Sequence, residues 1–134
     1  MLNKIYKNKS KEVHYKNSNG YEYWKKYDKY GNKIEFKDSE GLVETCEYEY
    51  DKKGNIIHFK NSEGYEEWNE YDKYGNKIYH KDNDGYEEWN EYDKHGNITY
   101  HKDSDGHEEW NEYDKYGNEI HHKESSGFEY WKEY

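Results

Sequence analysis

The chain has 134 residues, a formal net charge of −10 and only 30% hydrophobic residues, with alanine absent and aliphatic side chains scarce, which excludes a conventional aliphatic core. Its 20% aromatic content argues against disorder, because rings bury large areas and Tyr and Trp favour strands. The acidic balance disfavours direct nucleic-acid binding, the single Cys46 excludes an internal disulfide, and no apolar run is long enough for a signal peptide or a membrane span.

Residues 1–19 are basic, with Lys4, Lys7, Lys9, Lys11 and Lys16 against Glu12 alone. Ser10 stands where an earlier glycine of the repeat would fall, so residues 1–7 are expected to form a half-repeat strand. Its lysines would protect a sheet edge from pairing with other chains. Residues 1–19 thus supply a basic half-repeat and first hairpin, and residues 20–134 a tandem array, together one domain over 1–134.

From Gly20 onward a 21-residue unit recurs five times, cleanest over residues 64–84. Such a period signals stacked supersecondary units. Two glycine series mark it: Gly20, Gly41, Gly64, Gly85, Gly106 and Gly127, and Gly31, Gly54, Gly75, Gly96 and Gly117. Only the stretch from Gly41 to Gly54 is two residues longer than its equivalents, which preserves strand alternation. The segments between glycines are rich in Tyr, Trp, Ile and Glu and have hairpin spacing, with no proline to interrupt a ladder.

The first turn of each repeat ends in Asn-Gly, Glu-Gly, Asp-Gly or Ser-Gly, and the Asn-Gly and Asp-Gly forms predict a two-residue type I′ loop. The second reads Asp-Lys-Tyr-Gly-Asn at Asp72 to Asn76, which predicts a type I turn with a glycine bulge. These turns place Trp68 opposite His80 and His80 opposite Trp89. They predict one row of Phe36, Phe59, Trp68, His80, Trp89, His101, Trp110, His122 and Trp131. Glu67 would sit between Lys60 and Lys81 on the other face, with Glu88 between Lys81 and Lys102. Were both turns three-residue loops, successive tryptophans would be expected to alternate faces. The expected fold is all-β: about thirteen short strands in an elongated, twisted antiparallel meander of hairpins.

The run Tyr-Asp-Lys-Tyr-Gly-Asn, followed by Asp-Ser-Asp-Gly and another Tyr-Asp, resembles the YD repeat of the rearrangement-hotspot (Rhs) family. The matching dipeptides are Tyr27-Asp28, Tyr50-Asp51, Tyr71-Asp72, Tyr92-Asp93 and Tyr113-Asp114, and Tyr134 stands at the sixth such tyrosine. Large members of that family build β-strand shells that enclose toxins, and related repeats occur in animal cell-surface proteins. The resemblance implies a β-repeat fold and a non-enzymatic role. About thirteen strands are expected to be too few to close a large shell.

His80, His101 and His122 would lie two strands apart, about 9–10 Å, too far to share one metal ion. His121 and His122 would point to opposite faces. The loops at Asp82 and Asp103 lack the distal bidentate Glu of a calcium loop, so turn chemistry accounts for their acids. No cofactor or metal is expected, and Cys46 reads as a small strand residue. Repeated carboxylates are unlike a catalytic centre, which needs one asymmetric site.

The predicted register also lines up Glu66, Asp82, Glu87, Asp103, Glu108 and Glu124 beside the tryptophans, one carboxylate per strand. With Trp68, Trp89, Trp110 and Trp131 they form the candidate binding surface. Such a line imitates the charge and stacking of a nucleic-acid strand. It points to a cytoplasmic inhibitor of a basic nucleic-acid-handling protein, such as a nuclease, in toxin immunity or phage anti-defence, anti-CRISPR included. The alternatives are a carbohydrate or cell-surface binding module, or a structural piece of a larger YD-repeat shell. A homodimer is compatible with the pattern.

Overall fold

The structure, a computed structural model, describes residues 3–7 and 10–134, with side chains from Lys11 onward. All regular elements among them are strands, and no helix is long and apolar enough to cross a membrane. The chain divides into two units, Met1–Glu66 and Glu67–Tyr134. The first holds β1 (Asn3–Lys7), β2 (Ser10–Lys16), β3 (Glu22–Tyr27), β4 (Lys33–Asp38), β5 (Val43–Tyr50) and β6 (Ile56–Asn61). The second begins within β7 (Glu66–Tyr71) and continues through β8 (Lys77–Asp82), β9 (Glu87–Tyr92), β10 (Ile98–Asp103), β11 (Glu108–Tyr113), β12 (Glu119–Glu124) and β13 (Glu129–Trp131). Within each unit, strands adjacent in sequence pair in order, giving an antiparallel meander of hairpins. The half-repeat strand expected over residues 1–7 is β1. The side chains of Lys4, Lys7 and Lys9, expected to guard the edge, lie outside the described residues.

Both turn series have the same geometry, which corrects the expected type I′ loop. In the second series, the Gly75 N–H donates to the Asp72 carbonyl at 3.2 Å, and Asp72 Oδ1 accepts the N–H groups of Tyr74 and Asn76 at 2.7 and 3.0 Å. In the first series, the Gly85 N–H donates to the Asp82 carbonyl at 3.3 Å, and Asp82 Oδ1 accepts from Asp84 and Tyr86, both at 3.0 Å. Gly75 and Gly85 both have φ of 94°, a left-handed conformation that costs a side-chain-bearing residue about 1–2 kcal/mol. An acid or amide that starts the turn and a glycine three residues later are therefore enough to close either loop.

The second hairpin of each repeat holds one extra residue. Glu70 pairs with Tyr79 but Tyr71 pairs with Lys77, so Ile78 is a bulge. Ile34, Ile57, Thr99 and Ile120 occupy the same position in the other repeats. A bulge takes a neighbouring backbone group out of the regular ladder, and a buried carbonyl needs another donor. The phenols supply it: Tyr92 donates to the Lys77 carbonyl at 2.8 Å and Tyr113 to the Ile98 carbonyl at 3.1 Å.

The two-residue extension falls in β5, eight residues long against six in β4 and β6. There Tyr48, not Tyr50, donates to the corresponding Lys33 carbonyl at 3.3 Å. Tyr50 is released to bond the Asp28 carboxylate and accept from Asn32 Nδ2. Burial pushes both the Tyr48 and the Tyr50 phenol up to about 12, with the Asp28 bond adding to it at Tyr50.

Among the described residues no hydrophobic side chain is fully buried; the most buried are Asn69, Asn90 and Asn111, each 4–6% exposed. Stability instead comes from half-buried ring pairs, such as Tyr48–Phe59 at 5.0 Å and Tyr100–Trp110 at 5.6 Å between centroids.

Candidate functional site

The register places the indoles of Trp68, Trp89, Trp110 and Trp131 on one face of the second unit. Trp68 pairs with Lys81, which pairs with Glu87; Trp89 faces Tyr79 and Lys102; Trp110 faces Tyr100 and Lys123; Trp131 faces His121. The expected common side for the indoles holds there, although both loops have three residues. The Ile78-type bulge adds the residue that restores the alternation.

The composition of the row is different from that expected. His80 pairs with Asn69 and Glu88, so His80, His101 and His122 lie on the face away from the indoles. Within the first unit Phe36 and Phe59 lie on the face away from Trp24: Trp24 pairs with Lys37, Phe36 with Lys25 and Glu44, and Phe59 with Tyr48. His121, one residue before the expected His122, stacks on Trp131 at 4.9 Å with 7° between the ring planes. His14 and Trp24 repeat this stack in the first unit at 4.8 Å and 6°.

The anionic line is split between the two faces. Glu87 and Glu108 lie on the indole face but pair with Lys81 at 3.0 Å and Lys102 at 2.9 Å. Glu66 likewise contacts Lys60 at 3.9 Å and His58 at 2.8 Å. Asp82, Asp103 and Glu124 lie on the opposite face, where Asp82 and Asp103 are the turn acceptors and Glu124 takes a hydrogen bond from Ser126 Oγ at 2.8 Å. The lysines expected around Glu67 and Glu88 belong instead to this ladder of Glu66, Glu87 and Glu108. The cause is one-residue displacement in each hairpin, because a strand changes face with every residue.

The face away from the indoles carries a repeated polar network. Asn69, Asn90 and Asn111 accept from the Nδ1 side of His80, His101 and His122 at 2.8, 2.8 and 2.6 Å. Their amide nitrogens donate to Glu67, Glu88 and Glu109. An amide oxygen can only accept, so Nδ1 of each ring is the donor in these bonds. The buried amide was not singled out in sequence; its signal is Asn one residue after Trp in every repeat from Trp68 to Trp110. Ser39, Ser62, Ser104 and Ser125 were missed too. Each accepts a strand N–H at its Oγ, as Ser104 does from Glu87 at 3.0 Å, and donates its own N–H to that residue's carbonyl.

The indole face is partly open to solvent. Trp68, Trp89 and Trp110 are 38, 37 and 39% exposed, so the same ring is presented in successive repeats. A groove of about 710 Å³ beside Trp89 is lined by Ile78, Glu91, Tyr100 and Lys102 among others. No cluster of three His, Cys, Asp or Glu that could hold a metal occurs among the described residues.

No family model and no curated protein matches the chain. Solved structures do. The chain is similar in fold to one in a crystal structure of TcdB2-TccC3-Cdc42, with TM-score 0.58 and 16% identity over 86% of this chain. A crystal structure of TcdB2-TccC3-TEV gives 0.60 and 15% over 87%. The Photorhabdus luminescens Tc holotoxin pore carrying the TccC3 mutation D651A gives 0.56 and 13% over 90%. This chain spans 7% of the length of the first two and 8% of the third. The likeness is one of fold.

Proposed function

We propose that the chain is a structural β-repeat module, a strip of wall whose contribution lies in its repeated faces rather than in a reacting centre. The observation that carries this reading is repetition of the whole local apparatus: turn lock, bulge, phenol bond and buried amide recur together. Catalysis calls for one asymmetric, preorganised constellation, which such duplication does not favour. The fold likeness to chains of toxin assemblies supports the same reading.

Block exchange tests it. Residues 64–84 and 85–105 are swapped in the full chain, and the variant is compared with the parent by circular dichroism, sedimentation and co-purification from the native host. A wall module keeps its fold, its mass in solution and its associated proteins. Turnover of a substrate, or loss of every association when one block moves, would overturn the reading.

A second reading, inhibition of a basic nucleic-acid-handling protein, draws on the net charge of −10 and on exposed Glu70, Glu91 and Glu112. It expects binding to a purified basic nuclease that weakens steeply with salt. Binding that ignores salt, or no binding, counts against it.

A further inference from the structure

The second unit repeats a pairing of one ring and one acid on its indole face. Two residues after Trp68, Trp89 and Trp110, and therefore on the same face, stand Glu70, Glu91 and Glu112. All three are exposed. Across the neighbouring strand they meet rings rather than lysines: Glu70 faces Tyr79, Glu91 faces Tyr100 and Glu112 faces His121, whose Nδ1 lies 3.5 Å from the Glu112 carboxylate. Two lysines of this face are engaged with other acids, Lys81 with Glu87 and Lys102 with Glu108, and Lys123 faces Trp110. Each repeat thus presents a partly exposed indole edged by an exposed carboxylate that faces a ring rather than a lysine.

A cation is the complement of that pair. Arginine fits best, because its planar guanidinium stacks on an indole while its fork reaches a carboxylate. The pitch selects the backbone that carries it. Equivalent tryptophans lie two strands apart, about 9.6 Å. A β-strand returns a side chain to the same face about every 6.6 Å and an α-helix about every 5.4 Å, so neither keeps step. Polyproline II has three residues per turn at about 3.1 Å each, which returns a side chain to the same side every ~9.3 Å.

We propose that the indole face of the second unit is a docking surface for a cationic segment in polyproline II conformation with arginine at every third position. Successive arginines stack on Trp68, Trp89 and Trp110 and bond Glu70, Glu91 and Glu112. The groove beside Trp89 holds the middle one. The surface serves this purpose whether or not the module also forms part of a wall.

The test uses the whole chain and two synthetic peptides of identical composition. One is Arg-Pro-Pro repeated four times; the other carries its four arginines together, followed by the prolines. Binding is read by indole fluorescence and calorimetry at two salt concentrations. The regular peptide is expected to bind about tenfold tighter than the blocked one and to weaken with salt. The double variant Glu91→Gln/Glu112→Gln, unchanged in circular dichroism, is expected to lose at least about fivefold in affinity for the regular peptide. Equal affinity for the two peptides would reduce the effect to bulk charge and overturn the proposal. Unaltered binding by the double variant, or indole quenching by a soluble β-1,4-glucan but by neither peptide, would overturn it as well. A peptide with glutamate in place of arginine is the remaining control, and comparable affinity for it has the same consequence.

Discussion

Asn90 is a buried amide that ties two side chains together. It is 5% exposed, accepts from His101 and donates to Glu88. Its replacement by alanine leaves two partners without their bond in a half-buried setting, where an unmet polar group costs about 1–3 kcal/mol. Asn90→Ala is therefore expected to lower stability by that amount in urea denaturation. The turn acids respond to pH. Hydrogen bonds from Asn55, Asn97 and Asn118 side chains hold the Asp51, Asp93 and Asp114 carboxyls below their ordinary value, with backbone N–H groups helping and burial opposing. A folded value below the unfolded one, near 4, means these groups stabilise the fold above about pH 4 and lose that contribution as pH falls through the lowered values. Acid unfolding is expected below about pH 4. The triple variant Asn55→Ala/Asn97→Ala/Asn118→Ala should shift its midpoint to higher pH in a circular dichroism titration.

At the level of strands and turns, the glycine spacing made the hairpins legible, and the strand count of about thirteen agrees with the structure. The register was not legible, for a specific reason. Asp82-Asn83-Asp84-Gly85 suits either a two-residue loop or the three-residue loop it forms, and Ile78 looks like any strand residue although it is a bulge. Each ambiguity amounts to one residue. Trp68 and Trp89 are separated by both hairpins, so the two displacements cancel and the indoles align. His80 is separated from either tryptophan by only one, so it changes face, and Asp82 changes face with it. The bulge is directly testable. Deletion of Thr99 removes the extra residue and leaves a regular ladder with the same partners, Ile98 with Tyr92 and Tyr100 with Glu91, so the indole of Trp110 stays on the side of Trp89. The deletion is expected to keep a cooperative unfolding transition at lower stability, because it disturbs the carbonyl that Tyr113 bonds, whereas Thr99→Ile leaves stability within about 1 kcal/mol. Loss of the cooperative transition after the deletion would contradict the register.

For the chain as a whole, repetition takes the place of a central apolar core. Removing residues 85–105 joins Asp84 to Gly106 and keeps every turn, bulge and phenol in phase. Repeat arrays gain stability mainly from nearest neighbours, so this variant is expected to fold with a lower melting temperature and a smaller unfolding slope in urea. Loss of all strand signal in circular dichroism would show that the units depend on more than their neighbours.

The Tyr92 and Tyr113 bonds add a direction to the array. Each phenol reaches back fifteen residues to the carbonyl ahead of an earlier bulge, so a repeat is finished only by its successor. A polypeptide leaving the ribosome therefore carries its newest repeat in an unsealed state until the next tyrosine emerges. Maturation proceeds like a zip fastener drawn from the amino end, with one tooth always waiting.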